Sequence, residues 1–407
     1  MVHINPDFQK LKSSYLFPRI EEKKRALLAE NKEIDLINLG IGDITKPMLG
    51  AVYEAFQEAI DEMKKKPIGY GPSQGYEFLR EKICEIDYEN LDIEPEEIFV
   101  SNGAKCDSAH LLEIFSKETT VALCDPAYPV YVDSTVMSGR TGDADEFGHY
   151  ANILYLPLKE EEGFMPCPPE EKCDLVYLCS PNNPTGVALT KEVLEKWVAY
   201  AKKHGAIILY DGAYEAFISQ DRPKSIYEIE GAKDVAIEIR SYSKTAGFTG
   251  LRCSYTVIPK RLKAQYRDKD VSVHTLWKRR HDTKFNGVNY LTQKAASSLY
   301  TPRGQKELKE RIIEYQEQSN LLREGLENLG YTVYGGIDAP YLWVKTPDGF
   351  SSWEYFEYLL EHLQIVSIPG RGFGVSGEGF IRLSAFASLD IINRAIERFK
   401  THETITA

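Results

Sequence analysis

"DLVYLCSPNNPTGVALTKEVLEKWVAYAKKHGAIILYDGAY", residues 174–214, contains a complete strand–helix–strand unit. Its two ends are short apolar runs, each closed by turn-forming residues, as expected of buried strands. Between them, residues 190–205 place apolar side chains at helical spacing and stop at Gly205, a helix terminator. A strand, a helix and a second strand at this pitch predict a right-handed crossover. They therefore predict a mostly parallel sheet covered by helices on both faces.

The same pattern extends outward. "EIFVSNG" near 97, "TVALCDP" near 120 and "DVAIEIRSYS" near 234 read as further buried strands ending in turns. After residue 300 the character changes. Residues 303–330 form one long amphipathic pattern, followed by the alternating runs "YLWVKT" and "FIRLSAF" with the helical "SSWEYFEYLLEHL" between them. The expected architecture is α/β. A large domain of residues 48–290 holds the parallel sheet, and residues 1–47 and 291–407 form a smaller α+β domain. Pockets commonly form where two such units meet.

The chain has 407 residues, 43% hydrophobic and 27% charged, with a formal net charge of -12. That charge repels phosphate backbones, so a nucleic-acid partner is not expected. The basic run "WKRRHDTK", residues 277–284, reads as a solvated loop or a subunit contact. Seven cysteines, with no C-x-x-C pair, argue against a disulfide framework or a structural zinc, and no metal is expected. No apolar run approaches the ~20 residues that span a bilayer, and the N-terminus lacks an apolar signal core. A cytoplasmic location and no membrane partner are the expectation.

The chemistry centres on "SYSKTAGFTGLR", residues 241–252. Its glycines and hydroxyls are unlike a helix, so Lys244 sits in a polar turn rather than on a solvated helix face. A partly buried lysine becomes a nucleophile that forms a Schiff base with a carbonyl. The most demanding user of such a lysine is pyridoxal 5'-phosphate, and every part of its site can be sought. Asp211, at the end of "AIILYD", can hold the pyridine nitrogen protonated, and Tyr214 can reach the phenolic oxygen. Asn183, fixed between Pro181 and Pro184, offers a second partner for that oxygen. "SNGAKCD", residues 101–107, precedes a helix and presents backbone N–H groups for the phosphate at Ala104 and Lys105. Ser241, Ser243 and Arg252 complete that cradle. Tyr128 follows another strand end and can cover the ring. Arg382, in the alternating "FIRLS", can hold a substrate carboxylate by a bidentate fork. Alone, each reads as a turn residue or a structural ion pair. Together, five strand ends supply what one cofactor requires.

Two other motifs are set aside. "GFGVSG", residues 372–377, matches G-x-G-x-x-G, but an alternating strand follows where a dinucleotide site needs a helix. "SYSK" matches S-x-x-K without the companion motifs of serine acyl-enzymes.

The motifs "SPNNPTG", "YDGAY" and "SYSKTAGFTGLR" resemble, in order, those of the fold-type I pyridoxal-phosphate enzymes, the aspartate aminotransferase superfamily. The resemblance implies Lys244 as the cofactor-bearing lysine and the roles given above for Asp211, Asn183, Tyr214, Tyr128 and Arg382. "NLGIGDITKP", "SNGAKCD", "DPAYPVYVDS", "KFNGVN" and "GEGFIRLSAF" are similar to the LL-diaminopimelate aminotransferase family within it, over nearly the whole chain. That similarity implies further substrate or cofactor contacts at Tyr15, Gly42, Lys105 and Asn286. It also implies a homodimer with shared sites, in which Tyr70 reaches the neighbouring subunit's phosphate. The substrates implied are small amino and oxo acids: glutamate as donor and tetrahydrodipicolinate as acceptor. Ser73 stands where that family often has an acid facing the distal ammonium, Arg371 stands where a small residue is expected, and residues 261–284 are unusually basic. An aminotransferase of other specificity and a β-lyase are the rival enzymes. A cofactor-sensing regulator would need a DNA-binding module, which the sequence does not contain.

Overall fold

The structure is a computed structural model that describes residues 1–11, 16–30 and 33–406. Seven strands form the central sheet: β1 (Ile98–Ser101), β2 (Val121–Asp125), β3 (Ile153–Pro157), β4 (Leu175–Cys179), β5 (Ile207–Asp211), β6 (Ala236–Ser241) and β7 (Ser254–Val257). Their order is β1-β7-β6-β5-β4-β2-β3. Six strands run the same way, while β7 lies antiparallel to both β6 and β1. β1, β2, β4, β5, β6 and β7 are buried along their whole length, as a sheet covered on both faces requires.

The helix predicted between β4 and β5 spans Lys191–His204. The Thr190 side chain accepts from the Val193 N–H at its start, and Gly205 closes it with a left-handed φ of 69°. It buries Leu194, Trp197, Val198 and Ala201, and the Trp197 indole donates to the Pro166 carbonyl at 3.1 Å. Crossovers such as this one align the strand ends, so the loops after β2, β4, β5 and β6 share one edge of the sheet.

A second, antiparallel sheet follows from β8 (Val333–Gly335), β9 (Tyr341–Lys345), β10 (Ile368–Pro369) and β11 (Phe380–Ser384), in the order β8-β9-β11-β10. Ser352–His362 packs beside it, and the long helix Pro302–Asn328 leads into it. Ile37–Asn38 pairs in parallel with Ile365–Val366, which draws Ile37 and Leu39 into this second core, whereas Leu16 and Ile20 pack into the first. An aromatic seam of Tyr214, Phe217, Tyr315, Tyr341 and Phe386 lies between the two cores. At that seam Gly186 and Gly335 meet back to back. A side chain on Gly186 would collide with the Tyr341 carbonyl, and one on Gly335 with the Thr185 carbonyl.

Two local expectations change. The run 277–284 is not a loop: it belongs to the helix Val273–Lys284, whose Trp277 and His281 are buried while Arg280 and Lys284 pair with Glu113. Lys244, expected in a turn without helix, lies in a single helical turn, Tyr242–Thr245, which Ser241 caps by accepting from the Ser243 N–H at 3.1 Å. One turn satisfies those amides without requiring helix propensity beyond it. "GFGVSG" folds as two short 3-10 turns before β11 and opens no helix.

Candidate active site

The ends of β4, β5 and β6 and the residues after β1 and β2 border a cavity of about 440 Å³ that β9 and β11 close from the other side. Asp211 is the last residue of β5 and is 8% exposed. Its Oδ2 accepts from the Tyr131 hydroxyl at 2.6 Å and its Oδ1 from the Ala213 N–H at 3.0 Å. Burial outweighs both bonds and holds the carboxyl above its ordinary range. Lys244 enters from the turn after β6, and its Nζ donates to the Gly42 carbonyl.

At one end of the cavity, Ser241, Ser243 and Arg252 stand beside Ala104 and Lys105, which open the helix Ala104–His110. Arg252 donates to Ser243 Oγ at 3.4 Å and to the Thr249 carbonyl at 3.2 Å. Gly103 precedes that helix with φ 124°, and a Cβ there would collide with the Arg252 guanidinium. At the other end, Arg382 is 2% exposed. Its Nη1 donates to Asn183 Oδ1 at 2.6 Å and its Nη2 to the Gly40 carbonyl at 2.8 Å, while its Nε has no protein partner. The guanidinium also lies 4.4 Å from the Tyr341 ring centre. Tyr214 shares a 2.8 Å hydrogen bond with Tyr341, and Tyr128 lines the wall with Lys105 Nζ 6.0 Å from its ring centre.

Twelve of the anticipated residues thus converge on this cavity: Gly42, Ala104, Lys105, Tyr128, Asn183 and Asp211, with Tyr214, Ser241, Ser243, Lys244, Arg252 and Arg382. Tyr70 and Asn286 do not line it. Tyr70 is 93% exposed, and Asn286 is also exposed. Tyr15 lies outside the described residues. Tyr131 and Tyr341 were not foreseen. Tyr131 lies on the helix Pro129–Met137, which Tyr128 precedes as N-cap, and the two rings meet edge to face at 5.7 Å. Tyr341 opens the strand opposite the one carrying Arg382.

The residues fit a phosphorylated pyridine aldehyde. A fixed cation with two hydroxyls suits the phosphate. A buried carboxylate, reinforced by Tyr131, suits a protonated ring nitrogen. The unpartnered Arg382 Nε is a donor waiting for a carboxylate.

Residues 34–399 match the family described as aminotransferase class I and II, and the chain belongs to that family. Enzymes of this class are transaminases that work with pyridoxal 5'-phosphate, and this cavity is the candidate site for that cofactor. Among solved structures, the chain is similar to L,L-diaminopimelate aminotransferase from Chlamydomonas reinhardtii, with 42% identity over 98% of both chains and a TM-score of 0.93. It is also similar to BacF from Bacillus subtilis, with 27% identity over 99% of this chain and 98% of that one and a TM-score of 0.83. Aspartate aminotransferase from Thermotoga maritima shares the fold, with 24% identity over 98% of this chain and all of the other and a TM-score of 0.83.

Proposed function

We propose that the protein is an LL-diaminopimelate aminotransferase. It moves an amino group from glutamate to tetrahydrodipicolinate and gives LL-diaminopimelate and 2-oxoglutarate, in the cytoplasm, as a precursor step for lysine and peptidoglycan. The observation that carries this reading is the 42% identity to the Chlamydomonas enzyme over 98% of both chains. The site sits between the large domain, 48–290, and the small domain formed by 1–47 and 291–407.

Pyridoxal phosphate, when bound, supplies an aldehyde that carries the amino group and a ring that stabilises negative charge at the substrate's α carbon. Arg252, Ser241 and Ser243 hold its phosphate, with the amides of Ala104 and Lys105. Asp211 keeps the ring nitrogen protonated, and the Tyr131 hydroxyl holds Asp211 in place. Asn183 and Tyr214 hydrogen-bond the phenolic oxygen, and Tyr128 covers the ring face. Arg382 turns its Nε and a terminal nitrogen to the substrate α-carboxylate, which replaces a neutral amide acceptor at Asn183 with a charged, bidentate one. The Lys244 amine would take the proton from the substrate α carbon as base and then give it up as acid. Tyr70 and Asn286, outside the cavity of their own chain, serve the partner's site in a homodimer. Lys105, on the cavity wall, is a further substrate contact, and the family resemblance adds Tyr15 to that set.

The test is a single half-reaction. Purified holoenzyme is mixed separately with LL-diaminopimelate, meso-diaminopimelate, glutamate, aspartate or alanine, and the cofactor's visible absorbance is followed. Fast bleaching by the LL isomer and glutamate, with no response to the meso isomer, is expected. An equal response to aspartate or alanine would leave a transaminase of other specificity, and β-elimination without an oxo acid would make it a lyase.

A further inference from the structure

A second cavity, of about 480 Å³, lies behind the lysine turn. The turn itself is the partition between the two. Ser243 and Lys244 face the active-site cavity, Tyr242 and Thr245 face the second, and Ser241 borders both. The opposite wall belongs to the helix Pro302–Asn328, which presents Leu308, Ile312 and Ile313. Apart from Ser241, the transamination chemistry uses none of these wall residues.

The polar content of this cavity is specific. Asp87 Oδ2 accepts from the Tyr255 and Tyr300 hydroxyls, each at 2.6 Å, and the Tyr300 hydroxyl also meets that of Tyr242 at 2.8 Å. Among the described residues, no lysine, arginine or histidine forms an ion pair with Asp87. The nearby guanidinium of Arg240 is already committed to Glu215 at 3.0 Å and to buried Glu238 at 2.6 Å. Burial holds the Asp87 carboxyl above its ordinary range despite both tyrosine bonds. The cavity therefore offers, at Asp87, a carboxyl with no ion-pair partner among the described residues, together with a ring of tyrosines and an apolar wall. A cation in a partly desolvated site is attracted to a carboxylate several-fold more strongly than in bulk water. Tyrosine faces favour the same sign of charge, and an alkyl chain against the leucine and isoleucines adds ~0.8 kcal/mol per buried methylene.

We propose that this cavity is a binding site for a small aliphatic ammonium compound. The cation rests on Asp87, the hydrocarbon body lies along Leu308 and Ile312, and occupancy is transmitted to Lys244 through Tyr242 and the turn they share. Lys224 and Lys309, exposed at the rim, would select for ligands that also carry a carboxylate at the far end, as an ω-amino acid does.

The probe is N,N-dimethylbutylammonium, a protonated tertiary amine that can donate to a carboxylate but cannot condense with an aldehyde. Calorimetric titration into the holoenzyme is expected to give one site per chain. Asp87→Asn should weaken it by about tenfold or more, and Ile312→Trp, which fills the cavity from the other wall, should do the same. Lys244→Ala should still bind. Saturating amine should also shift the cofactor's visible absorbance in the wild-type enzyme. No heat at tens of millimolar, equal affinity in both cavity variants, or loss of binding in Lys244→Ala would overturn the site. Binding with an unchanged spectrum would overturn its link to the lysine turn. These readouts do not depend on which amino acid the enzyme transaminates, so they fail separately from the substrate assignment.

Discussion

Asp107 shows how one buried group sets a pH dependence. It sits in the helix that opens at Ala104, is 2% exposed, and accepts a hydrogen bond from Thr256. Burial outweighs that bond and pushes its carboxyl up to about 6 from 3.8. A folded-state value above the unfolded one stabilises at low pH and is lost as pH rises through 6. Asp107→Asn, which keeps an acceptor for Thr256, should gain on the wild type by up to about 3 kcal/mol between pH 4 and pH 7. Urea midpoints of both proteins across that range check the sign. Lys244 behaves differently. Its turn is held by Ser241 and by backbone bonds, so Lys244→Ala should keep the far-ultraviolet circular dichroism and lose turnover by a factor of at least about 10³. Normal turnover in that variant would remove the lysine from the mechanism. Asp211, Asn183, Ala104 and Tyr128 could be read from the sequence because each lies at or just after the end of a buried strand. Tyr131 could not, since a tyrosine inside a helix reads as core, and its hydroxyl acquires a role only because β5 delivers Asp211 to it.

Among the elements, β7 explains much of what the sequence hid. Ser254 and Thr256 are fully buried, and Ser254 Oγ accepts from the Gly103 N–H at 3.0 Å while Thr256 serves Asp107. A strand whose polar residues point inward has no apolar alternation to reveal it. β3, at one edge of the sheet, is only partly buried. β4, β5 and β6, each with a run of apolar residues ahead of its turn, were legible at once. The loop between β1 and the helix at Ala104 gives an element-scale prediction. Gly103→Ala would force Arg252 away, so the apoenzyme should bind pyridoxal phosphate about tenfold or more weakly, measured by fluorescence titration, with a smaller effect on the thermal midpoint without cofactor. Similar affinity in the variant would place the phosphate elsewhere.

The whole molecule carries the dimer proposal. Tyr70 projects from its own chain at 93% exposure and does not line the cavity that its chain encloses. If sites are shared, a hybrid of one Tyr70→Ala chain and one Lys244→Ala chain holds one intact site and one doubly damaged site. Mixing the two inactive homodimers under exchange conditions should restore about a quarter of wild-type turnover, because random pairing makes about half of the dimers hybrid. No recovery, with exchange verified by mass, would confine each site to one chain. At this scale the parallel sheet was predictable from one strand–helix–strand unit. The pairing of Arg382 with Asn183, 199 positions apart, was not, because no local pattern records it.

The meeting of Gly186 with Gly335 has a further meaning for the history of such a chain. Each glycine blocks the other: a side chain at either position strikes the carbonyl skeleton of the opposite strand or loop. Neither can drift first, and no partner substitution relieves the clash, because the obstacle is backbone. Descendants of this sequence can change the side chains that choose a substrate on either side of the seam. The glycine pair itself is a locked ratchet, across which changes of specificity must be made without altering how closely the two sheets approach.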